Sequence, residues 1–418
     1  MNKFKLSLTA QIIIAVVAGI AFGTIVGEWA GNLKFIGDIF IRLIQMSVVL
    51  LVMTSVISAI GEMARNNEEN QLGLKVGAMT FFWIIFATLI ASGLGYLLAT
   101  IVRPGEGMQI TDAFVAEETT SLGFQETITN FVSNNIFSSM AAGEMIPIIV
   151  FSVLFGIGLN QWIKKSGDTT VLDIIKHTNN ITLNVIQTVM KIAPIGIFAL
   201  LANVAGTIGL AVIGPMIKYL GTLLIGVTIV MIFMVLLTAA ICKVNPAKMP
   251  KKFLDMSIIA LTTTSSAITF PTALNDTIEK FGVRRDIANF TMSVGMTMGS
   301  AGAAMSYVIM ILFMQQASGV ELSAIELIVG IFLAVMLTLG TITVPGGSAV
   351  VATFLATSLG LPVESIALII GVDWFAGMFR TFLNVNNDVI VSMLVANSVD
   401  ALDHDVYNGK KTVSAEAE

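Results

Sequence analysis

The chain has 418 residues, of which 56% are hydrophobic and 12% charged, and carries a net charge of −5 at pH 7. A soluble domain is about 25% charged, so a mean hydropathy of +0.89 excludes that class, and no basic block points to nucleic acid. The single cysteine, Cys242, excludes an intrachain disulfide framework or a thiolate metal cluster. The apolar runs are long and continuous, unlike the alternating ten-residue strands of an outer-membrane barrel, so a polytopic helical membrane protein is expected.

A first span is expected over 8–26 and is read as a retained helix, since no small-residue cleavage signal follows it. A second runs over 36–64, long enough to tilt, with Arg42 snorkelling near its start. The third covers 76–102. From Glu106 to Asn135 the chain turns acidic and Ser/Thr-rich, with no Lys or Arg, and reads as an aqueous loop. Spans follow at 145–159, 171–205 and 217–241, with the polar stretch Gln161–Asp168 between the first two. Pro194, two residues before Gly196, predicts a kink or an end in the longer one. Most loop Lys and Arg residues can lie on one side of the membrane. The positive-inside rule then puts both termini in the cytoplasm and the acidic loop outside.

Beyond Lys252 the apolar runs are interrupted. The segment 258–271 is too short and too polar at Thr262–Ser266 to span. The next helix, 287–314, is expected to break between Gly295 and Gly302, and Leu337–Ser348 repeats the Ser/Thr-and-Pro theme. Non-helical backbone at membrane depth is tolerated only where it is buried in protein or lines a cavity. Paired interrupted segments point to a transporter built from inverted repeats.

The last hydrophobic segment, 361–399, holds Asp373, Gly377, Arg380, Asn384 and Asp388 at steps of four and three, one face of a helix. Trp374, Phe375, Phe379, Phe382 and Val389 fall mostly elsewhere. An ionisable group near the bilayer centre costs about 2.5–3.5 kcal/mol on insertion scales and normally marks a site. Arg380 offers a planar fork for a carboxylate; the competing role is an internal ion pair with Asp373 or Asp388. Asp388 is read as a cation ligand and Asp373 as structural. The Ser265–Ser266 tip suits an anion through its amides and hydroxyls, and Gly346 and Gly347 give a gate its mobility. His177 and His404 read as surface residues and the methionines of 292–314 as packing.

At these motifs the chain resembles the dicarboxylate/amino acid:cation symporter family, which includes the glutamate transporters. The stretch Lys-Ile-Ala-Pro-Ile-Gly-Ile-Phe-Ala (191–199) is similar to a family hallmark. Thr-Ser-Ser-Ala-Ile-Thr-Phe-Pro (264–271) resembles the tip of hairpin 1, Val-Pro-Gly-Gly (344–347) that of hairpin 2, and 373–388 the eighth helix. The resemblance implies eight transmembrane helices with two re-entrant hairpins, and a homotrimer in the plasma membrane that works as an elevator. Residues 1–252 would be mainly scaffold, with span 3 and part of span 6 joining the transport domain. Residues 253–399 would form the core of that domain and 400–418 a cytoplasmic tail. It also implies substrate contacts from Ser265, Ser266, Val344, Gly346, Arg380, Thr381 and Asn384. One cation site would use Asp388, Asn384 and the backbone at Gly295 and Gly299; a second would use carbonyls around Thr297, Thr338, Leu339 and Thr341.

The departures restrict the function. Gly299-Ser300-Ala301-Gly302-Ala303 stands where many members carry Asn-Met-Asp-Gly-Thr. The carboxylate and amide of a third sodium site are therefore missing, and Thr88 and Ser92 offer little in their place. Gly377 replaces the aspartate that pairs with a substrate amino group, and Ala303 the threonine that meets a distal carboxylate. The expected function is symport of a small dicarboxylate or acidic amino acid, coupled to sodium, with protons through Asp388 or Asp373 as the alternative and no enzymatic cofactor. A channel or anion pore and an intramembrane enzyme are the rivals. The enzyme lacks a base for Ser265.

Overall fold

The computed structural model describes residues 8–65, 71–108, 129, 132–142, 145–208, 213–338, 347–362 and 364–413. These are helical almost throughout, and six stretches are long and apolar enough to cross a membrane: Ile14–Phe40, Lys75–Val102, Pro147–Ser166, Ile213–Cys242, Arg285–Ser318 and Leu368–Ser398. In chain order the helices are α1 (Leu8–Val26), α2 (Lys34–Arg65), α3 (Gln71–Val102), α4 (Ile136–Ala142), α5 (Met145–Ser166), α6 (Thr170–Met190), α7 (Ala193–Ile208) and α8 (Ile213–Cys242). They continue with α9 (Met249–Thr263), α10 (Ser266–Glu279), α11 (Arg285–Met298), α12 (Ala301–Ser318), α13 (Ala324–Thr338), α14 (Gly347–Ser358), α15 (Glu364–Ser398) and α16 (His404–Asn408). The protein is an all-α polytopic membrane protein. Its spans are α1, α2, α3, α5, the kinked pair α6–α7, α8, the broken pair α11–α12, and α15. The pairs α9–α10 and α13–α14 are the two hairpins.

The boundaries follow local chemistry. Pro194 has no N–H to continue a helix, and the chain turns at Lys191–Ile192, so the expected kink separates α6 from α7. Gln161–Ser166, expected as a polar connection, instead forms the last turn and a half of α5. There the Lys164 and Lys165 side chains complement the carbonyl end of the helix. The acidic loop lies largely outside the described residues, as do Glu144 and the hairpin 2 tip, 339–346.

Small residues set the closest approaches. Gly19 and Gly23 are four apart on α1 and face α7; a Cβ on Gly19 would stand 2.8 Å from the Phe198 carbonyl oxygen, and one on Gly23 would meet the Ala202 carbonyl. In lipid, helices associate through such backbone contact rather than a hydrophobic driving force. Gly23→Ala is accordingly expected to cost about 1–3 kcal/mol, seen as a lower unfolding temperature in detergent. An unchanged temperature would mean that α1 can shift freely.

A second bundle forms around α15, which contacts α3, α8, α9, α10, α11, α12 and α14. The methionines behave as packing material here: Met292, Met298, Met305, Met310 and Met314 are all buried. His177 and His404 are exposed. Phe375 lies on the outer side of α15 at 42% exposure, while Asp373, Arg380, Thr381, Asn384 and Asp388 are each at 8% or less. The polar face of this helix therefore points into protein.

Candidate functional site

Arg380 is the charged centre of the buried face. Its Nη1 donates to Asp373 Oδ1 at 3.4 Å, two turns earlier on the same helix. Charge-assisted hydrogen bonds of this kind are ordinarily about 2.7–2.9 Å, so the pair is loose. Arg380 Nε has no hydrogen-bond partner among the described residues. The internal ion pair foreseen as the competing role is thus present, but it leaves Nε uncommitted among the described residues. Gly377 lies beside it: a Cβ there would stand 3.5 Å from Arg380 Nη2 and 3.6 Å from the Thr264 Cβ.

Thr264 and Ser265 form the tip of hairpin 1. Thr264 closes α9 in the left-handed region, at φ 52, ψ 27. A β-branched residue is rare there, and such strain costs on the order of 1–3 kcal/mol. Ser265 opens α10: its side chain caps the helix by accepting from the Ile268 N–H at 3.4 Å, and its carbonyl accepts from Thr269 Oγ1 at 2.9 Å. The Ser265 oxygen is therefore engaged in the cap as an acceptor, and its O–H remains a donor. Thr264 Oγ1, at the same tip, is buried and without a partner among the described residues. Ser266, also buried, is the first residue of α10.

Opposite the tip, the seventh span breaks at Gly299–Ser300, inside the expected interval, and leaves a carbonyl end on α11 facing an amide end on α12. Asn384 of α15 caps the second half: its Oδ1 accepts from the Gly302 N–H at 2.8 Å and the Ala303 N–H at 3.3 Å. That oxygen is occupied, whereas Asn384 Nδ2 is buried and unpartnered among the described residues, as is Thr381 Oγ1. Gly302 permits this approach. A Cβ there would lie 2.5 Å from the Arg380 carbonyl oxygen.

Asp388 faces the first half. Its Oδ1 lies 2.6 Å from where a Cβ on Gly295 would be and 2.8 Å from one on Gly299, and it has no hydrogen-bond partner among the described residues. A bare carboxylate 3% exposed needs a cation or a proton. Two glycines and a carbonyl end beside it make a small oxygen-lined cradle of the kind hard cations use. Thr297 lies in α11 two residues before the break, and Thr338 ends α13, its hydroxyl turned back to the Val335 carbonyl at 2.6 Å. Leu339, Thr341, Val344 and Gly346 lie outside the described residues, so the structure does not bear on them.

The family model described as the sodium:dicarboxylate symporter family matches residues 8–398. The chain belongs to this family. A proton/glutamate-aspartate symporter of Escherichia coli is 31% identical, over 95% of this chain and 94% of the relative. One from Bacillus subtilis is 29% identical over 99% of each. A C4-dicarboxylate transport protein of Agrobacterium fabrum is 28% identical, over all of this chain and 94% of its own. The protein is a transporter of the symporter class, not an enzyme.

Within this symporter two buried phenols escape sequence reasoning. Tyr219 of α8 and Tyr307 of α12 are buried, and the Tyr219 hydroxyl lies 3.4 Å from Ser306 Oγ. The chain has four tyrosines, so a phenol inside a span was a usable but weak signal. Thr264 was inside the quoted motif, yet neither its left-handed backbone nor its hydroxyl, unpartnered among the described residues, was legible there.

Proposed function

We propose that the protein is a cation-coupled secondary active symporter of a small dicarboxylate, with acidic amino acids as the nearest alternative substrates. The observation that carries this is the buried Arg380 guanidinium, whose Nε has no partner among the described residues, while Gly377 and Ala303 supply neither an acid nor a hydroxyl. A carboxylate finds a partner at Arg380 and hydrogen-bond donors at Thr381, Asn384 Nδ2 and Thr264 Oγ1. An ammonium group finds no carboxylate at position 377. The family resemblance supports a trimer in the plasma membrane, an elevator motion of the α9–α15 region, and gating by hairpin 2.

Sodium is the preferred coupling ion, and Asp388 with the Gly295 and Gly299 backbone its best-supported site. Cation binding there favours closure of hairpin 2 over the solute, which prevents closure on solute alone and hence leak. Proton coupling is the second reading. It draws on the same lone carboxylate and on relatives named as proton symporters.

A thermal-shift screen of succinate, fumarate, malate, aspartate and glutamate, each with and without sodium and at two pH values, tests both readings. Dicarboxylates are expected to stabilise the protein, and sodium to increase the shift. A shift confined to the amino acids would overturn the substrate assignment; one that follows pH and ignores sodium would transfer the coupling to protons. Counterflow in proteoliposomes excludes a pore if labelled solute exchanges for unlabelled.

A further inference from the structure

The segment after α15 is the tail that the family resemblance implies, and its residues 400–411 are built into the base of hairpin 1. Leu402 pairs with Val283 in an antiparallel bridge. The Asp403 N–H donates to the Gly282 carbonyl at 2.7 Å, and the Arg284 N–H to the Ala401 carbonyl at 3.1 Å. Gly282 is left-handed at φ +77, and a Cβ there would run into the Asp403 carbonyl. The α10–α11 turn is thus shaped to receive this strap.

Tyr407 is its anchor. The ring is fully buried, and its hydroxyl donates to the Asn245 carbonyl at 2.7 Å, in the connection between α8 and α9. Burial, with Cys242 adding to it, pushes the phenol up to about 12, so it stays a donor at any physiological pH. Lys252 Nζ sits 4.8 Å from the Tyr407 ring centroid and donates to the Lys280 carbonyl at 2.5 Å. Lys280 Nζ in turn reaches Asp255 at 2.6 Å and Asp276 at 2.8 Å. These bonds tie the first arm of hairpin 1, which carries Lys252 and Asp255, to its second arm at Asp276 and Lys280. The strap closes the tie from below. Lys248 Nζ to Asn408 Oδ1 at 3.0 Å and Lys411 Nζ to Asp403 Oδ2 at 2.9 Å complete it.

We propose that residues 400–411, anchored by Tyr407, are a positioning element that locks the base of hairpin 1 to α15 and so holds the Thr264–Ser266 tip in register with Arg380. The strap touches no solute; it acts through the hairpin. Two arms tied at the base can swing only as one body with α15. The proposal rests on the symporter reading only in placing the solute at the hairpin tip.

The test uses the full-length protein with Cys242→Ala and a single reporter, Ala260→Cys. Ala260 is fully buried on α9 one turn before the tip, so its labelling by a membrane-impermeant maleimide from the cytoplasmic side, without solute, reports hairpin 1 lifting. Tyr407→Ala is expected to raise the labelling rate about tenfold or more, and Tyr407→Phe, which loses one hydrogen bond and keeps the ring, by about two- to fivefold. In uptake, KM should rise while Vmax per molecule at the membrane stays close to that of the parent; a merely structural loss would lower the amount of protein and leave KM unchanged. Should Tyr407→Ala fail to reach the membrane, Tyr407→Phe and Lys252→Met decide the matter by the same labelling. Unchanged labelling and KM in the variants that do reach it would overturn the proposal. Because labelling needs no solute, an incorrect substrate assignment would not disturb it, and a strap without this role would leave the thermal-shift screen intact.

Discussion

Arg380→Cys is expected to abolish uptake of every acidic solute while the protein still reaches the membrane. Arg380 is 4% exposed, so its contact with a solute carboxylate is made away from water. Truncating one member of such a buried charged pair costs about 2–5 kcal/mol, which is roughly 30- to 5,000-fold in affinity. Arg380→Lys should restore little, because a lysine cannot reproduce the two-pronged fork. One complication is internal. Removing the guanidinium also strands Asp373, whose Oδ1 it holds at 3.4 Å, and a stranded buried charge destabilises the fold. The double variant Arg380→Cys/Asp373→Asn removes that penalty. Its thermal stability should recover relative to Arg380→Cys while uptake stays absent. Unchanged dicarboxylate uptake in Arg380→Cys would end the substrate role and leave Arg380 as an internal counter-ion.

Asp388→Asn is expected to remove the dependence on the coupling cation. The side chains have nearly the same shape, so the cradle formed with Gly295 and Gly299 should persist. What is lost is the charge, and a desolvated cation without a charged ligand should bind at least about 100-fold more weakly. The measurement is solute binding or uptake against sodium concentration, repeated against pH. A sodium titration like that of the parent would refute the cation site. A parent-like sodium response with a lost pH response would make Asp388 the proton carrier instead.

How much of this could be read without coordinates differs from residue to residue. The burial of Arg380, Asn384 and Asp388 followed from helical periodicity and from the cost of exposing charge to lipid, both local properties of 16 consecutive residues. The break in the seventh span was foreseen at Gly295–Gly302 and falls at Gly299–Ser300. Asn384 shows where such reading stops. Its place on the face was legible, but its oxygen is taken by amides more than 80 residues earlier, and only its nitrogen is left. Ser265 was expected to offer a hydroxyl; its oxygen also caps α10, and Thr264 beside it adds a hydroxyl with no partner among the described residues. The 400–411 strap left no mark in the sequence, because it pairs with the hairpin base largely through backbone groups that residue type does not encode.

By itself, then, the sequence determined the membrane class, the order of spans and hairpins, and the one helix face on which charge had to be buried. Each depends on hydropathy and on a helical repeat that acts within a few residues. Tertiary structure alone decided which polar atoms at that face and at the facing hairpin tip have no partner among the described residues: Arg380 Nε, Thr381 Oγ1, Asn384 Nδ2 and Asp388 Oδ1 on α15, and Thr264 Oγ1 on the tip. Hydrogen-bond satisfaction depends on the register between helices, and that register is set by close backbone contacts such as Gly302 against the Arg380 carbonyl, which no periodicity within a single helix encodes.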